Sequence, residues 1–216
     1  LPGPATEVAI RRYRKHAAGY DASAKRTGGL RRRTIDRLAL ADGDAVLDVG
    51  CGTGLSFDPI LERIGTRGRL VGIEQSPEMM ALARARVEIR GHRNVTLIEA
   101  PVENANLPGP FTALLFNFVH DVLASPAALA TIFGATAPNA RIACAGMKLF
   151  PWWAAPLNLY VLAKARPYMT TFANLSHPWT ALAPYVRPLH RETTMLGMGY
   201  IAWGYANSNA SAPLTS

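Results

Sequence analysis

The chain has 216 residues, of which 49% are apolar and 18% charged, with a formal net charge of +8. That length favours a single domain with a core large enough to need neither disulfides nor a structural metal. Its two cysteines, Cys51 and Cys144, form no disulfide framework and no zinc pattern, which makes a reducing cytoplasm the expectation.

The N-terminal stretch LPGPATEVAIRRYRKH has no apolar run of the kind a signal or anchor requires. The most apolar region, Leu149 to Leu162, is interrupted by Pro151, Pro156 and Asn158, too broken for a spanning helix. Much of the positive charge lies early, from Arg11 to Arg33. Such a cluster can meet nucleic acid or anionic lipid, but it equally suits the solvated face of two helices. No zinc finger or RNA-binding aromatic signature accompanies it, which disfavours nucleic acid.

In chain order, residues 5–19 and 24–40 read as helices separated near Gly19-Tyr20-Asp21. AVLDVG, from Ala45, is a short apolar run ending in glycine, as expected of a buried parallel strand. A helix over 56–65 and the strand RLVGIE follow. Ser76-Pro77 then supplies a cap and a first-turn proline for a helix through residue 90. NVTLIE and TALLFNF are the third and fourth strands, Ser125-Pro126 opens another helix, and ARIACAGMK is a fifth strand. Residues 152–168 and 178–186 read as largely helical, ETTMLG and GYIAWGYA as a closing hairpin, and NSNASAPLTS as a tail. Alternating strands and helices predict a mostly parallel sheet covered on both faces. Its ligand should sit beyond the carboxyl ends of the strands, where the strand order reverses.

The segment Asp48-Val49-Gly50-Cys51-Gly52-Thr53-Gly54 marks that place, because glycine allows both a tight turn and close approach of a ligand. A dinucleotide site would place its third glycine at Leu55, so nicotinamide cofactors are disfavoured. About 20 residues on, Glu74 ends the second strand, where a carboxylate can accept the hydroxyls of a ribose.

DVGCGTG closely resembles the glycine-rich motif of the class I S-adenosylmethionine (SAM)-dependent methyltransferases, and Gln75-Ser76-Pro77-Glu78-Met79 resembles the segment that follows the acid in that family. The resemblance covers about residues 45–147 and is to small bacterial methyltransferases of the ubiquinone/menaquinone and phospholipid N-methyltransferase kind. It implies an α/β, Rossmann-like sheet of seven mostly parallel strands with helices on both faces and the last strand antiparallel. The chain would then be one methyltransferase domain, 1–216, with residues 1–40 as a helical lid and 148–186 as a helical cap over the acceptor.

Carried onto this sequence, the resemblance makes SAM the cofactor and S-adenosylhomocysteine (SAH) its product. It assigns cofactor contacts to Asp48, Gly50, Cys51, Gly52, Thr53 and Gly54, ribose binding to Glu74, and the adenine surroundings to Gln75, Pro101, Val102 and Glu103. Pro101 stands where relatives commonly carry an acid, so adenine recognition falls to the Val102 backbone and apolar packing; Glu103 also suits a helix start. Asn117, at the end of the fourth strand, would face the sulfonium, and Tyr20 would cover the methionine part of the cofactor. His120 is the candidate general base, with Asp121 beside it, though a structural or capping histidine suits the position equally well. Trp152 and Tyr168 are candidate acceptor contacts in an aromatic insert that suits an apolar acceptor, a lipid surface or plain packing.

The expected activity is methyl transfer to a small or lipid-like apolar acceptor. The alternatives are a phospholipid N-methyltransferase in peripheral contact with an anionic membrane, and a SAM-binding protein without catalysis. No metal is expected, because the histidines are scattered and no carboxylates have ligand spacing.

Overall fold

A computed structural model describes residues 27–150, 152–165, 171–172 and 174–207. The expected helix over 5–19, Tyr20, Tyr168 and most of the tail lie outside the described residues.

The first described helix, α1 (Gly28–Arg37), precedes β1 (Ala45–Val49), α2 (Phe57–Ile64), β2 (Arg69–Glu74), α3 (Pro77–Arg90) and β3 (Val95–Glu99). After these come β4 (Phe111–Asn117), a one-turn α4 (His120–Leu123), α5 (Pro126–Gly134), β5 (Thr136–Met147), α6 (Ala155–Ala165), β6 (His190–Thr194) and β7 (Gly199–Tyr205). The seven strands form one sheet in the order β3-β2-β1-β4-β5-β7-β6. Strands β1 to β5 pair in parallel, while β7 is antiparallel to both β5 and β6. This is the expected Rossmann-like sheet with the last strand reversed and inserted beside the fifth.

Alternation along the strands divides the core in two. Leu47, Val49, Val71, Ile73, Leu114, Phe116, Ile142 and Cys144 face Leu129, Ile132 and Phe133 of α5. Val46, Leu70, Ala113, Leu115 and Ala143 face Ile35 of α1, Phe57, Ile60 and Ile64 of α2, and Met80 and Ala83 of α3. Local chemistry sets the helix ends. The Ser76 hydroxyl accepts from Met79 N–H at 3.3 Å, and Ser125 accepts from Ala128 N–H at 3.2 Å, each with proline next in the chain. Gly91 closes α3 in the left-handed conformation.

Four details differ from expectation. β5 begins at Thr136, ahead of the apolar run at Ala140, because Thr136 already pairs with Phe111 across an irregularity in the β4 register. Residues 178–186 contain only a 3₁₀ turn over Pro178–Leu182, its length limited by Pro178 and Pro184. The insert begins with a 3₁₀ turn at Trp152–Ala154 before α6. The basic N-terminal cluster is not wholly solvated, for Arg31 is buried. Arg33 and Arg37 both pair with Glu192, at 2.9 and 2.8 Å, tying α1 to β6, and Arg37 also stacks on Trp203.

Candidate functional site

β1 pairs with β2 on one side and β4 on the other, so the strand order reverses at its carboxyl end and a crevice opens there. The chain leaves β1 through Gly50, Gly52 and Gly54, all with positive φ. A methyl on Gly50 would run into the Val119 side chain, and one on Gly54 would come within 2.5 Å of the Phe57 ring. The turn is pinned to the neighbouring strand by Cys51 N–H donating to Ile73 O at 3.0 Å. Thr53 is buried, and its carbonyl accepts from Arg86 Nε at 2.9 Å. Burial beside two carboxylates pushes the Cys51 thiol far up, which leaves it a packing group rather than a nucleophile.

Two acids meet at this turn. Glu74, at the end of β2, accepts from Gly52 N–H through one oxygen at 3.1 Å and from Ser76 N–H through the other at 2.8 Å. Desolvation raises its pKa, partly offset by backbone N–H donors from Ser76, Gly52 and Gln75. Asp48 is 1% exposed, and one of its carboxylate oxygens has no hydrogen-bond partner among the described residues. Burial pushes its pKa up to about 7, opposed by the charge of Arg31 and a hydrogen bond from Ser56.

Asn117 ends β4 two residues beyond the register partner of Asp48, and so on the same face of the sheet. Both polar atoms of its amide are buried without a partner among the described residues. Unpaired buried polar groups cost free energy, and their gathering at a switch point is what a site awaiting a polar ligand would show. Asp48 and Asn117 together offer an acceptor, a donor and negative charge, which fits an amine or a sulfonium. Glu74, already oriented by the backbone, has lone pairs left for vicinal hydroxyls.

The other candidates surround this centre. Gln75 is half-buried next to Glu74. Past β3, Pro101 precedes a 3₁₀ turn over Val102–Asn104, with Val102 buried and Ala100 N–H bonded to Glu74 O at 3.2 Å. Glu103 is exposed and accepts from the Ser125 hydroxyl at 2.7 Å, so it braces the start of α5. His120 starts α4 directly after Phe118, a non-glycine residue at φ 60°, and Val119, which packs on Gly50. Backbone of this sparsely populated kind concentrates at functional sites. Asp121 accepts from Thr171 N–H at 3.3 Å, a contact toward the cap. For Trp152 only the backbone is described, at the start of the insert.

Sequence reasoning missed Ser76 as a donor to Glu74, Ser56 as a donor to Asp48, and Arg31 as the charge that opposes Asp48's burial. For Arg31 the available signal was its place among Leu30, Thr34 and Ile35, which are buried on α1.

Residues 46–139, which contain the glycine turn, Glu74, Asn117 and His120, match the family described as a methyltransferase domain. Over this stretch, under half of the chain, the sequence is similar to methyltransferase domains, and the glycine turn and sheet resemble those of the class I SAM-dependent family.

Aklanonic acid methyltransferase DauC of Streptomyces sp. (strain C5) is 39% identical over 88 residues, 41% of this chain and 38% of that protein. The malonyl-[acyl-carrier protein] O-methyltransferase of Serratia marcescens is 27% identical over 130 residues, 60% of this chain and 49% of its own length. The chain thus spans under half the length of these two relatives. Among solved structures, a SAM dependent methyltransferase from Aquifex aeolicus aligns with a TM-score of 0.60 at 17% identity, covering 82% of this chain and 89% of that one. It shares the methyltransferase fold. Among the described residues no helix is long and apolar enough to cross a membrane, and no group of three or more His, Cys, Asp or Glu is placed to hold a metal ion.

Proposed function

We propose that the chain transfers a methyl group from SAM to a small or lipid-like apolar acceptor. One observation carries this: at the end of β1, buried Asp48 and Asn117 present unpaired polar atoms beside a Glu74 already fixed by two backbone donors. Glu74 would take the ribose hydroxyls, and Gln75, Pro101 and Val102 would flank the adenine. Gly50, Cys51, Gly52, Thr53 and Gly54 would lie along the methionine and ribose, with Asp48 and Asn117 toward the amine and sulfonium.

When bound, the cofactor supplies a methyl on positively charged sulfur, a good electrophile. The chain must then align the acceptor, exclude water and, for a hydroxyl, remove a proton. His120, beside the turn, would take that proton, and the aromatic insert would hold the acceptor. The two relatives named above act, by their names, on aklanonic acid and on malonyl-[acyl-carrier protein], which supports a small-molecule or carrier-bound acceptor.

The test is thermal unfolding with SAM, SAH or NADH. SAH at about 100 times its Kd should add roughly 2.7 kcal/mol, a rise of about 5–10 °C for a domain of this size. A shift with NADH alone would refute the assignment.

A second reading, action at a lipid surface, draws on the insert. Trp153, Leu157, Leu159 and Tyr160 are 70%, 52%, 74% and 54% exposed, an unusual run of large apolar side chains facing solvent. It calls for co-sedimentation with anionic vesicles that weakens as salt rises.

A further inference from the structure

Lys148 is a buried cation at the carboxyl edge of the sheet for which neither the fold nor the cofactor crevice accounts. It follows β5 immediately and is 8% exposed. Its backbone is fixed: Lys148 N–H donates to Met198 O at 2.8 Å, and Leu149 N–H donates to Leu175 O at 3.0 Å. The backbone at Lys148 is therefore held between the β6–β7 turn and the insert.

The ammonium has three donors to satisfy, yet among the described residues its hydrogen bond is a long 3.4 Å contact to Leu149 O. Among the described residues no carboxylate lies at ion-pair distance from it. Burial depresses its pKa, with no acidic neighbour acting the other way. A buried charge in a native protein is ordinarily paired, because an unpaired one is expensive to desolvate. A second unsatisfied polar group lies at the same edge. Thr194, at the end of β6, has a buried hydroxyl without a partner among the described residues, and its backbone is in register with Gly199, next to the Met198 that accepts from Lys148.

Position links this lysine to the crevice. Asn117 is in register with Ala145, and Lys148 follows three residues further on, just past the end of β5, so its backbone is about 10 Å from that register position at the rise of a strand, with strand alternation turning it to the other face of the same carboxyl edge. That suits a group on the acceptor some way from the methylated atom.

We propose that Lys148 is a specificity residue that binds a carboxylate on the methyl acceptor, so that the protein takes apolar carboxylic acids rather than their neutral analogues. This rests on the methyltransferase reading above, and the experiment separates the two.

Binding of SAH to the wild-type chain tests that reading alone. Lys148 is tested by calorimetry with 1-naphthoate and octanoate, with and without saturating SAH, on wild type, Lys148→Met and Lys148→Arg. Wild type should bind at least one of the two acids. Its methyl ester, and the acid with Lys148→Met, should bind at least about tenfold more weakly, since a charged hydrogen bond is lost. Lys148→Arg should retain most of the affinity.

Because Lys148→Met replaces an unpaired buried cation with an apolar chain of similar length, its melting temperature without ligand should stay level or rise, and its SAH affinity should not change. Equal binding of acid and ester, unchanged acid binding by Lys148→Met, or no binding of either acid at millimolar concentration would overturn the proposal. So would a clear fall in the melting temperature of Lys148→Met, which would mark a structural lysine. Phenyl phosphate binding in preference to both acids would overturn the carboxylate assignment.

Discussion

Replacing Glu74 with glutamine keeps the size of the side chain but removes one acceptor. In the wild type each carboxylate oxygen takes a separate backbone donor, Gly52 N–H at 3.1 Å and Ser76 N–H at 2.8 Å. Glutamine has a single oxygen, so its NH₂ must face one of those N–H groups. One buried donor left unpaired costs about 1–3 kcal/mol. At about 2–4 °C per kcal/mol for a domain of this size, the ligand-free melting temperature should fall by roughly 2–12 °C. The variant also loses a charged acceptor for a ribose hydroxyl, about 1.5–3 kcal/mol, or roughly 10- to 150-fold in affinity for SAH. Calorimetry with SAH and 2′-deoxy-SAH completes the test as a cycle: the deoxy ligand should be weakened against wild type and much less so against Glu74→Gln. A folded Glu74→Gln that binds SAH within threefold of wild type would refute the ribose assignment, whatever its stability.

The Asp48 carboxyl, pushed up to about 7, is partly protonated near neutrality, and the ammonium on the ligand's amino-acid part favours the ionised form. SAH affinity should therefore rise with pH through 7 and flatten above it; a pH-independent Kd for wild type, or the same slope in Asp48→Asn, contradicts this. Without ligand the raised pKa works the other way: protonation of Asp48 adds stability that is lost as pH climbs from about 4 to 7. Asp48→Asn should thus gain on wild type over that window in melting scans. Gly50→Ala forces a left-handed residue into the Val119 side chain, a cost of about 2–5 kcal/mol from the two effects together, and should melt lower and bind SAH poorly; an unchanged melting temperature would show the turn to be adaptable. His120→Asn should cut turnover by about 10²-fold or more at unchanged SAH affinity if the acceptor is a hydroxyl, and equal turnover would exclude the base. Leu159→Glu with Tyr160→Glu on α6 should abolish co-sedimentation with anionic vesicles without touching SAH binding; wild-type chain that stays in the supernatant removes the lipid reading.

What could be read from the sequence was local or periodic. The caps at Ser76 and Ser125 follow from a hydroxyl and a proline within two residues, and the glycine turn from backbone conformations only glycine adopts freely. The order of the strands, with β7 between β5 and β6, came from family resemblance, since no pattern within a strand names its neighbours. Features that depend on contacts distant in the chain were not legible. Arg31 is buried because α1 packs over the sheet, although its sequence neighbours Arg32 and Arg33 are exposed. The β6–β7 turn uses Met195 and Leu196 at positive φ, where sequence alone would have looked for glycine or asparagine. Asn117 was visible as a strand-end residue, but its unpaired amide is a property of the packed crevice.

The division of labour between the two acids also argues for the type of ligand. Glu74 has both oxygens held by the backbone, so it is a rigid acceptor aimed at hydroxyls. Asp48 keeps one oxygen unpaired in a buried setting, so a positive or proton-donating group there is favoured and a negative one is repelled. A ribose ligand carrying an amine and a sulfonium satisfies both acids and would draw the Asp48 proton off. A dinucleotide would satisfy Glu74 just as well but would lay a pyrophosphate over the same turn, with its negative charges against Asp48 and no third glycine at Leu55 to admit it. Asp48→Asn removes that charge and leaves the glycines alone. It should therefore weaken SAM, which carries both the amine and the sulfonium, while improving or leaving absent any trace affinity for NADH. Loss of affinity for both ligands by the same factor would mean that Asp48 shapes the turn and does not choose the charge of what binds there.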